Sequence, residues 1–158
     1  PFTILNVLID AKHVFKAMRK KPELMKEVFW KLGTEILRFM EEGKKYGAEL
    51  ISYADSSGGV NILGPKLWEQ VAEDFTYEFI KKAAELADDK TMLLLCPKTT
   101  FALTGTGKAR FRDIKLSRPM SYGEGCIEMV GKVKVAGQMC IKNVGYQLEN
   151  GIFKEVVL

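Results

Sequence analysis

The feature that most constrains the fold is an alternation of long helices and buried strands between residues 22 and 96. From Pro22 to Gly47 apolar side chains recur at three- and four-residue spacing, which predicts a long amphipathic helix. The segment AELISYAD follows, with apolar residues on both faces, as in a strand covered on both sides. A second helix begins at Pro65, and TMLLLC is a second strand that ends at Cys96. This order predicts parallel βαβ units and an α/β fold.

The pattern after Cys96 is less regular but still contains recognisable elements. FRDIKL predicts a third strand, and Ser121 with Glu124 three residues later forms a capping box for a short helix that ends at Gly131. KVKVAGQMC predicts a fourth strand, and LENGIFKEVVL predicts a turn and a final strand. In the second helix the aromatic residues lie on one face, which predicts that they are core: Trp68, Phe75 and Phe79.

Composition narrows the class of protein. The 158 residues, 47% hydrophobic and 28% charged, suit one globular domain over residues 1–158. No apolar stretch approaches the roughly 20 residues of a membrane span, and three cysteines do not suggest a disulfide framework. We therefore expect a soluble protein of the reducing cytoplasm, with thiols that are free or bound to metal.

The charged residues do not indicate binding to nucleic acid. The net charge of +4 arises from basic and acidic residues that are interleaved along the predicted helices. The densest basic run is at the end of a short helix, where cations complement the helix dipole, and this interpretation is favoured for Lys16, Arg19, Lys20 and Lys21. The single histidine, His13, lies among these lysines and is expected at the surface.

Four segments together resemble the uroporphyrinogen decarboxylase (URO-D) superfamily: PFT at the start, the stretch from Lys20 to Asp55, ILGPKLWEQ and LLLCPKTT. The resemblance is good over residues 1–100 and loose afterwards. The superfamily contains uroporphyrinogen decarboxylases and zinc-dependent methyltransferases that move a methyl group from a corrinoid to a thiol. Its fold is a (β/α)₈ barrel, which takes about 250 residues. The resemblance therefore implies a partial barrel, about the C-terminal half, with the rest absent or supplied by another chain.

The resemblance also implies where the chemistry lies. Active sites of such barrels are at the carboxyl ends of the strands. Asp55 ends a buried strand before a Ser-Ser-Gly-Gly loop, and Ser56 matches the serine of the family's F-D-S stretch, so both are predicted catalytic residues. An alternative use for Asp55 is to cap the loop amides. Cys96 matches the cysteine of the family's His-x-Cys zinc motif, and Cys140 is the positional candidate for the distant cysteine ligand.

The sequence departs from the family at several positions. Leu94 stands where the motif has its metal-binding histidine, and Val7 stands where the family has a tyrosine after P-x-T. Cys126, inside the predicted short helix, is interpreted as core. Asp55, Glu124, solvent or residues outside the chain remain alternatives for further ligands.

The sequence leaves three functions open. The resemblance favours a zinc-dependent methyltransferase with methylcobalamin or another corrinoid as methyl donor, and a small-molecule thiol or a corrinoid protein as partner. The alternatives are a tetrapyrrole decarboxylase and a non-catalytic corrinoid- or tetrapyrrole-binding barrel fragment. The chain alone is expected to be inactive, and a homodimer through unpaired barrel edges is expected because exposed edge strands tend to pair.

Overall fold

The structure, a computed structural model, describes residues 1–158. The helices are α1 (Phe2–Leu8), α2 (Ala11–Lys20), α3 (Pro22–Lys45), α4 (Val60–Leu63), α5 (Pro65–Val71), α6 (Tyr77–Ala84), α7 (Pro97–Gly105) and α8 (Tyr122–Met129). A π-helical segment, Ala72–Thr76, joins α5 to α6 without a break, and short 3₁₀ turns span Ser56–Gly58 and Ile141–Asn143. The strands are β1 (Leu50–Tyr53), β2 (Met92–Leu95), β3 (Arg110–Lys115), β4 (Met120–Ser121), β5 (Val135–Ala136), β6 (Gln147–Leu148) and β7 (Ile152–Val157).

One mixed sheet organises the molecule. Its strand order is β1-β2-β5-β7-β3, and β4 pairs with β6 in a separate two-stranded ribbon. β1, β2 and β5 are parallel, whereas β7 is antiparallel to both β5 and β3. The α/β class is thus confirmed, and the parallel units predicted from the sequence account for three of the five strands.

Local signals in the sequence explain most element boundaries. Pro22 occupies the first turn of α3, where its missing N–H costs no hydrogen bond, and Gly47 adopts a φ of 86° just after the helix. The predicted capping box at α8 is present, with Ser121 and Glu124 bonding each other's backbone amides. Asp88 accepts hydrogen bonds from the amides of Lys90 and Thr91 at 2.9 Å, which fixes the turn into β2.

The sheet separates two hydrophobic clusters. Successive side chains of a strand point to opposite faces, so Leu93 and Leu95 pack with the helices α1–α7 while Met92 and Leu94 pack against α8. The first cluster contains the predicted helix core, where Trp68, Phe75 and Phe79 are all buried. The second contains residues of α8 and of the ribbon, among them Tyr122, Cys126, Met129 and Leu148.

One sequence-based expectation about the sheet needs correction, and another is not confirmed. The predicted strand KVKVAGQMC is reduced to Val135–Ala136, so Cys140 lies four residues beyond the strand rather than at its end. The predicted partial barrel is not confirmed: in a barrel the helices form an outer ring, whereas α8 here covers the opposite face from the other helices. The antiparallel β7 also interrupts the parallel order. None of the helices combines the length and hydropathy that crossing a bilayer requires.

Candidate functional site

The candidate site lies beyond the carboxyl ends of β1 and β2, and its most connected residue is Asp55. The Asp55 carboxylate accepts hydrogen bonds from the Phe2 amide at 3.0 Å, the Thr3 amide at 2.7 Å and the Thr3 hydroxyl at 2.7 Å. The Tyr53 hydroxyl donates to Oδ2 at 3.4 Å. The carboxylate therefore holds the first residues of the chain against the end of β1.

These contacts set the ionisation of Asp55. Burial of the carboxyl group acts to raise its pKa, whereas the hydrogen bonds from the Thr3 amide and hydroxyl act to lower it. Burial and the neighbouring carboxylate raise the pKa of Tyr53 well above 10. Asp55 is thus an anion at neutral pH and Tyr53 a neutral hydrogen-bond donor.

Ser56 begins the 3₁₀ turn after Asp55, and the structure connects this turn to two other segments. The Ser57 amide donates to the Thr3 hydroxyl at 3.1 Å, and the Lys98 Nζ donates to the Ser56 carbonyl at 3.0 Å. Thr3 and Lys98 were not singled out from the sequence, although both lie in the PFT and CPKTT segments that carry the resemblance. They bring the start of α1 and the start of α7 to the same loop.

Cys96 links the end of β2 to α7. Its amide donates to the Tyr53 carbonyl at 2.9 Å, which continues the β1–β2 pairing, and its carbonyl accepts from the amides of Thr99 and Thr100 in the first turn of α7. Its side chain is half-buried at the same edge of the sheet as Asp55 and Ser56. The predicted position of Cys96 beyond a strand end is confirmed, whereas its role as a metal ligand stays a prediction.

Leu94, at the position of the family's histidine, has become a core residue. It is buried to 1% exposure, pairs with Ala136 of β5 and packs in the cluster beneath α8. Burial of the Leu94 side chain stabilises the folded state by about 2 kcal/mol. It leaves no imidazole near Cys96.

The other two cysteines differ sharply in their surroundings. Cys126 on α8 is 1% exposed, and burial raises its pKa to about 11. This confirms the interpretation of Cys126 as core. Cys140 is half-buried and precedes the 3₁₀ turn Ile141–Asn143, in the loop that follows β5. Because β5 pairs with β2, Cys96 and Cys140 both follow the carboxyl ends of neighbouring parallel strands.

The side chains of the chain do not assemble a complete metal site. No group of three or more His, Cys, Asp and Glu residues is arranged to hold a metal ion. Asp55, one alternative ligand, already has its carboxylate engaged with Phe2, Thr3 and Tyr53. Glu124, the other, is bound to the Ser121 backbone and to Arg118. Of the predicted ligands this leaves Cys96 and Cys140, whose role in binding a metal stays a prediction.

A largely apolar groove of about 420 Å³ runs beside β1 and ends at Asp55. Nine of its fourteen lining residues are hydrophobic, including Ile4, Ile36 and the 80% exposed Phe39. β1 is hydrogen-bonded to β2 on one side and is the edge of the sheet on the other. The groove thus follows the unpaired edge of the sheet to the candidate site.

Comparison with known proteins provides one clear assignment. The family model described as Uroporphyrinogen decarboxylase (URO-D) matches residues 1–141. The chain belongs to the URO-D family. Neither a curated protein nor a solved structure matches it. The family match confirms the resemblance at the level of the superfamily, and it implies a TIM-barrel-like α/β fold for the URO-D domain.

The extent of the URO-D match is informative for the site. Residues 1–141 include all four predicted site residues, namely Asp55, Ser56, Cys96 and Cys140. The match ends before β6 and β7, and β7 is the strand that runs antiparallel to β5. The part of the sheet that departs from parallel order is therefore completed by residues beyond the URO-D match.

Proposed function

We propose that this chain is part of an enzyme that moves a methyl group from a corrinoid to a thiol, as the zinc-dependent methyltransferases of the URO-D superfamily do. The observation that supports the proposal is the placement of Cys96 and Cys140. Both are half-buried, and both follow the carboxyl ends of paired parallel strands, the edge at which barrel enzymes bind their substrates. Membership of the URO-D family supports the superfamily to which the reaction belongs.

Zinc is the metal that fits two thiolates best, but these residues do not complete its usual set. A zinc ion in a protein takes about four ligands, and the chain offers two free ones, Cys96 and Cys140. The remaining ligands would come from residues outside this chain, from the acceptor thiol or from solvent. When bound, zinc would keep the acceptor thiol deprotonated, which is the nucleophilic form.

The residues of the chain have more direct roles in this proposal. Lys98 holds the Ser56 carbonyl, and Thr3 bridges Asp55 to the Ser57 amide, so the loop beside Cys96 is fixed on both sides. An active site benefits from such fixed neighbours because reacting groups must be positioned before the reaction. In this proposal Ser56 remains the catalytic candidate with a free side chain, and Asp55 acts by positioning.

A second function is favoured by a specific observation. Decarboxylation of uroporphyrinogen needs no metal, and the chain lacks a third residue placed to bind one. In this case Cys96 and Cys140 would contribute packing, and substitution of either would leave turnover intact. Binding of a corrinoid or tetrapyrrole without catalysis is the third possibility, and it predicts neither activity.

The two reactions can be assayed on the protein that carries this chain. Methyl transfer is followed as loss of the methyl–cobalt absorbance when methylcobalamin is mixed with a panel of small thiols. Decarboxylation is followed as loss of carboxylates from uroporphyrinogen by chromatography. We expect methyl transfer in the native protein, its loss in Cys96→Ser and in Cys140→Ser, and its retention in the control Cys126→Ala. Turnover of uroporphyrinogen without methyl transfer would replace the proposal with the second function.

A further inference from the structure

A basic groove is assembled by tertiary structure on the surface formed by α2, the start of α3 and the start of α5. Two cavities, of about 450 and 550 Å³, share the lining residues Arg19 and Leu63 and are therefore neighbours on this surface. We name this basic groove the α2 groove. Its cationic lining residues come from two distant parts of the sequence: Lys12, Lys16, Arg19, Lys20 and Lys66.

The positive charge of the α2 groove is largely uncompensated. No acidic residue lines either cavity. Among the five cations only Lys12 has an ion-pair partner, Asp10 at 3.2 Å, and both of these side chains are more than half exposed. Glu23 and Glu69 are each adjacent in sequence to a residue that lines the groove, but neither lines the cavities itself. Elsewhere on the surface, ion pairs such as Lys26–Asp74 and Lys44–Asp88 offset much of the charge.

The floor of the α2 groove is apolar. Half-buried Phe15 and the 40% exposed Ile62 are its accessible apolar residues, and the buried Leu63 and Leu67 lie beneath them. A cationic rim over an apolar floor does not match a ligand that is charged on all sides, such as inorganic phosphate. It does match an amphipathic segment that presents acidic side chains at its edges and aliphatic side chains at its centre.

We propose that the α2 groove is a docking surface for an acidic amphipathic helix of another protein. Aliphatic side chains of that helix contact Ile62 and Phe15, while its carboxylates face Lys16, Arg19, Lys20 and Lys66. This inference is independent of the reaction proposed above, since none of its residues belongs to the candidate site.

The proposal is tested by fluorescence anisotropy on the protein that carries this chain. The probe is a labelled peptide of roughly 16 residues with Leu at helical i, i+3, i+4 and i+7 positions and Glu on the other face. A peptide with Lys in place of Glu is the charge-reversed control. We expect saturable binding of the acidic peptide, no binding of the basic one, and weaker binding as salt rises, because salt screens exposed charges.

Matched variants locate the binding. Lys16→Gln, Arg19→Gln and Lys20→Gln together should weaken binding at least tenfold. The control triple, Lys31→Gln, Lys82→Gln and Lys115→Gln, removes the same charge from exposed residues outside the groove and should bind normally. Ile62→Ser should weaken binding severalfold, which a purely electrostatic contact would not show. Circular dichroism verifies that each variant is folded.

Competition for the bound peptide distinguishes a protein partner from a nucleic acid, a membrane surface or a free anion. A single-stranded DNA oligomer, vesicles containing phosphatidylserine and inorganic pyrophosphate are each added to the bound peptide. We expect weak competition from all three. The proposal is overturned if the acidic peptide does not bind, if the groove triple and the control triple behave alike, or if DNA or vesicles bind more tightly than the peptide.

Discussion

At the scale of single residues, Asp55 shows how tertiary contacts can give a residue a use that its sequence position does not reveal. An acid at the end of a buried strand predicts a functional position, and the structure does place Asp55 at the strand end. Its hydrogen-bond partners, however, lie 52 and 53 residues away, in Thr3 and Phe2. No local pattern connects these segments, so the anchoring of the chain start could not be predicted. The catalytic role of Asp55 stays a prediction.

Replacing the Asp55 carboxylate should weaken this anchor. Asp55→Asn keeps the shape but removes the charge that accepts these hydrogen bonds, so we expect the free energy of unfolding at pH 7 to fall by about 2 kcal/mol. The Thr3 hydrogen bonds act to lower the folded-state pKa of Asp55, so its contribution is present above the ordinary value of 3.8 and is lost as the carboxylate becomes protonated in acid. Urea unfolding of both proteins between pH 7 and pH 2 should show the difference disappearing in acid. If the native protein and Asp55→Asn differed in free energy of unfolding by the same amount at every pH, this account would be contradicted.

The three cysteines should react in two classes. Cys126 is 1% exposed and burial raises its pKa to about 11, so only about 0.1% of it is thiolate at pH 8. Cys96 and Cys140 are half-buried and accessible. With iodoacetamide at pH 8, mass spectrometry should find both of them alkylated while Cys126 remains free until the protein is unfolded. Early alkylation of Cys126 in the folded protein would show that α8 does not shield it.

At the scale of secondary structure, elements with strong local signals were predictable and elements made by pairing were not. The Pro22 start of α3, the Ser121 capping box and the buried run of β2 each follow from neighbouring residues. The PFT segment folds into α1, which the sequence did not indicate, because its start is held by Asp55. The predicted strand before Cys140 shortens because β5 finds partners for only two residues.

The contact between α3 and the π-helical segment can be probed with a matched glycine pair. A Cβ at Gly33 would lie 2.9 Å from Phe75 and 3.2 Å from Phe79, both buried rings, whereas a Cβ at Gly43 would meet nothing closer than 3.9 Å. We expect Gly43→Ala to raise the free energy of unfolding by about 0.5–1 kcal/mol through helix propensity. Gly33→Ala should lower it by about 1 kcal/mol, since overcrowding exceeds that gain. If Gly33→Ala and Gly43→Ala changed the free energy of unfolding in urea equally, α3 would not be closely packed against Phe75 and Phe79.

At the scale of the whole molecule, the α/β class and three parallel strands follow from the sequence, but the covering of the sheet does not. Alternation within β2 sends Leu93 and Leu95 to one cluster and Met92 and Leu94 to the other. Which element covers the second face depends on the path of residues 106–134, where periodicity is weak. β1 leaves one edge of the sheet unpaired, so a homodimer through this edge stays a prediction. Light scattering tests it by measuring the molar mass in solution.

The central claim is that Cys96 and Cys140, which follow the paired parallel strands β2 and β5, are the cysteines that bind the metal in the proposed methyltransferase. Plasma emission spectrometry of the purified protein that carries this chain tests it most directly. We predict a stoichiometric amount of zinc in the native protein and in Cys126→Ala, and its loss in Cys96→Ser and in Cys140→Ser. A protein that is free of zinc yet fully active in methyl transfer would contradict the account.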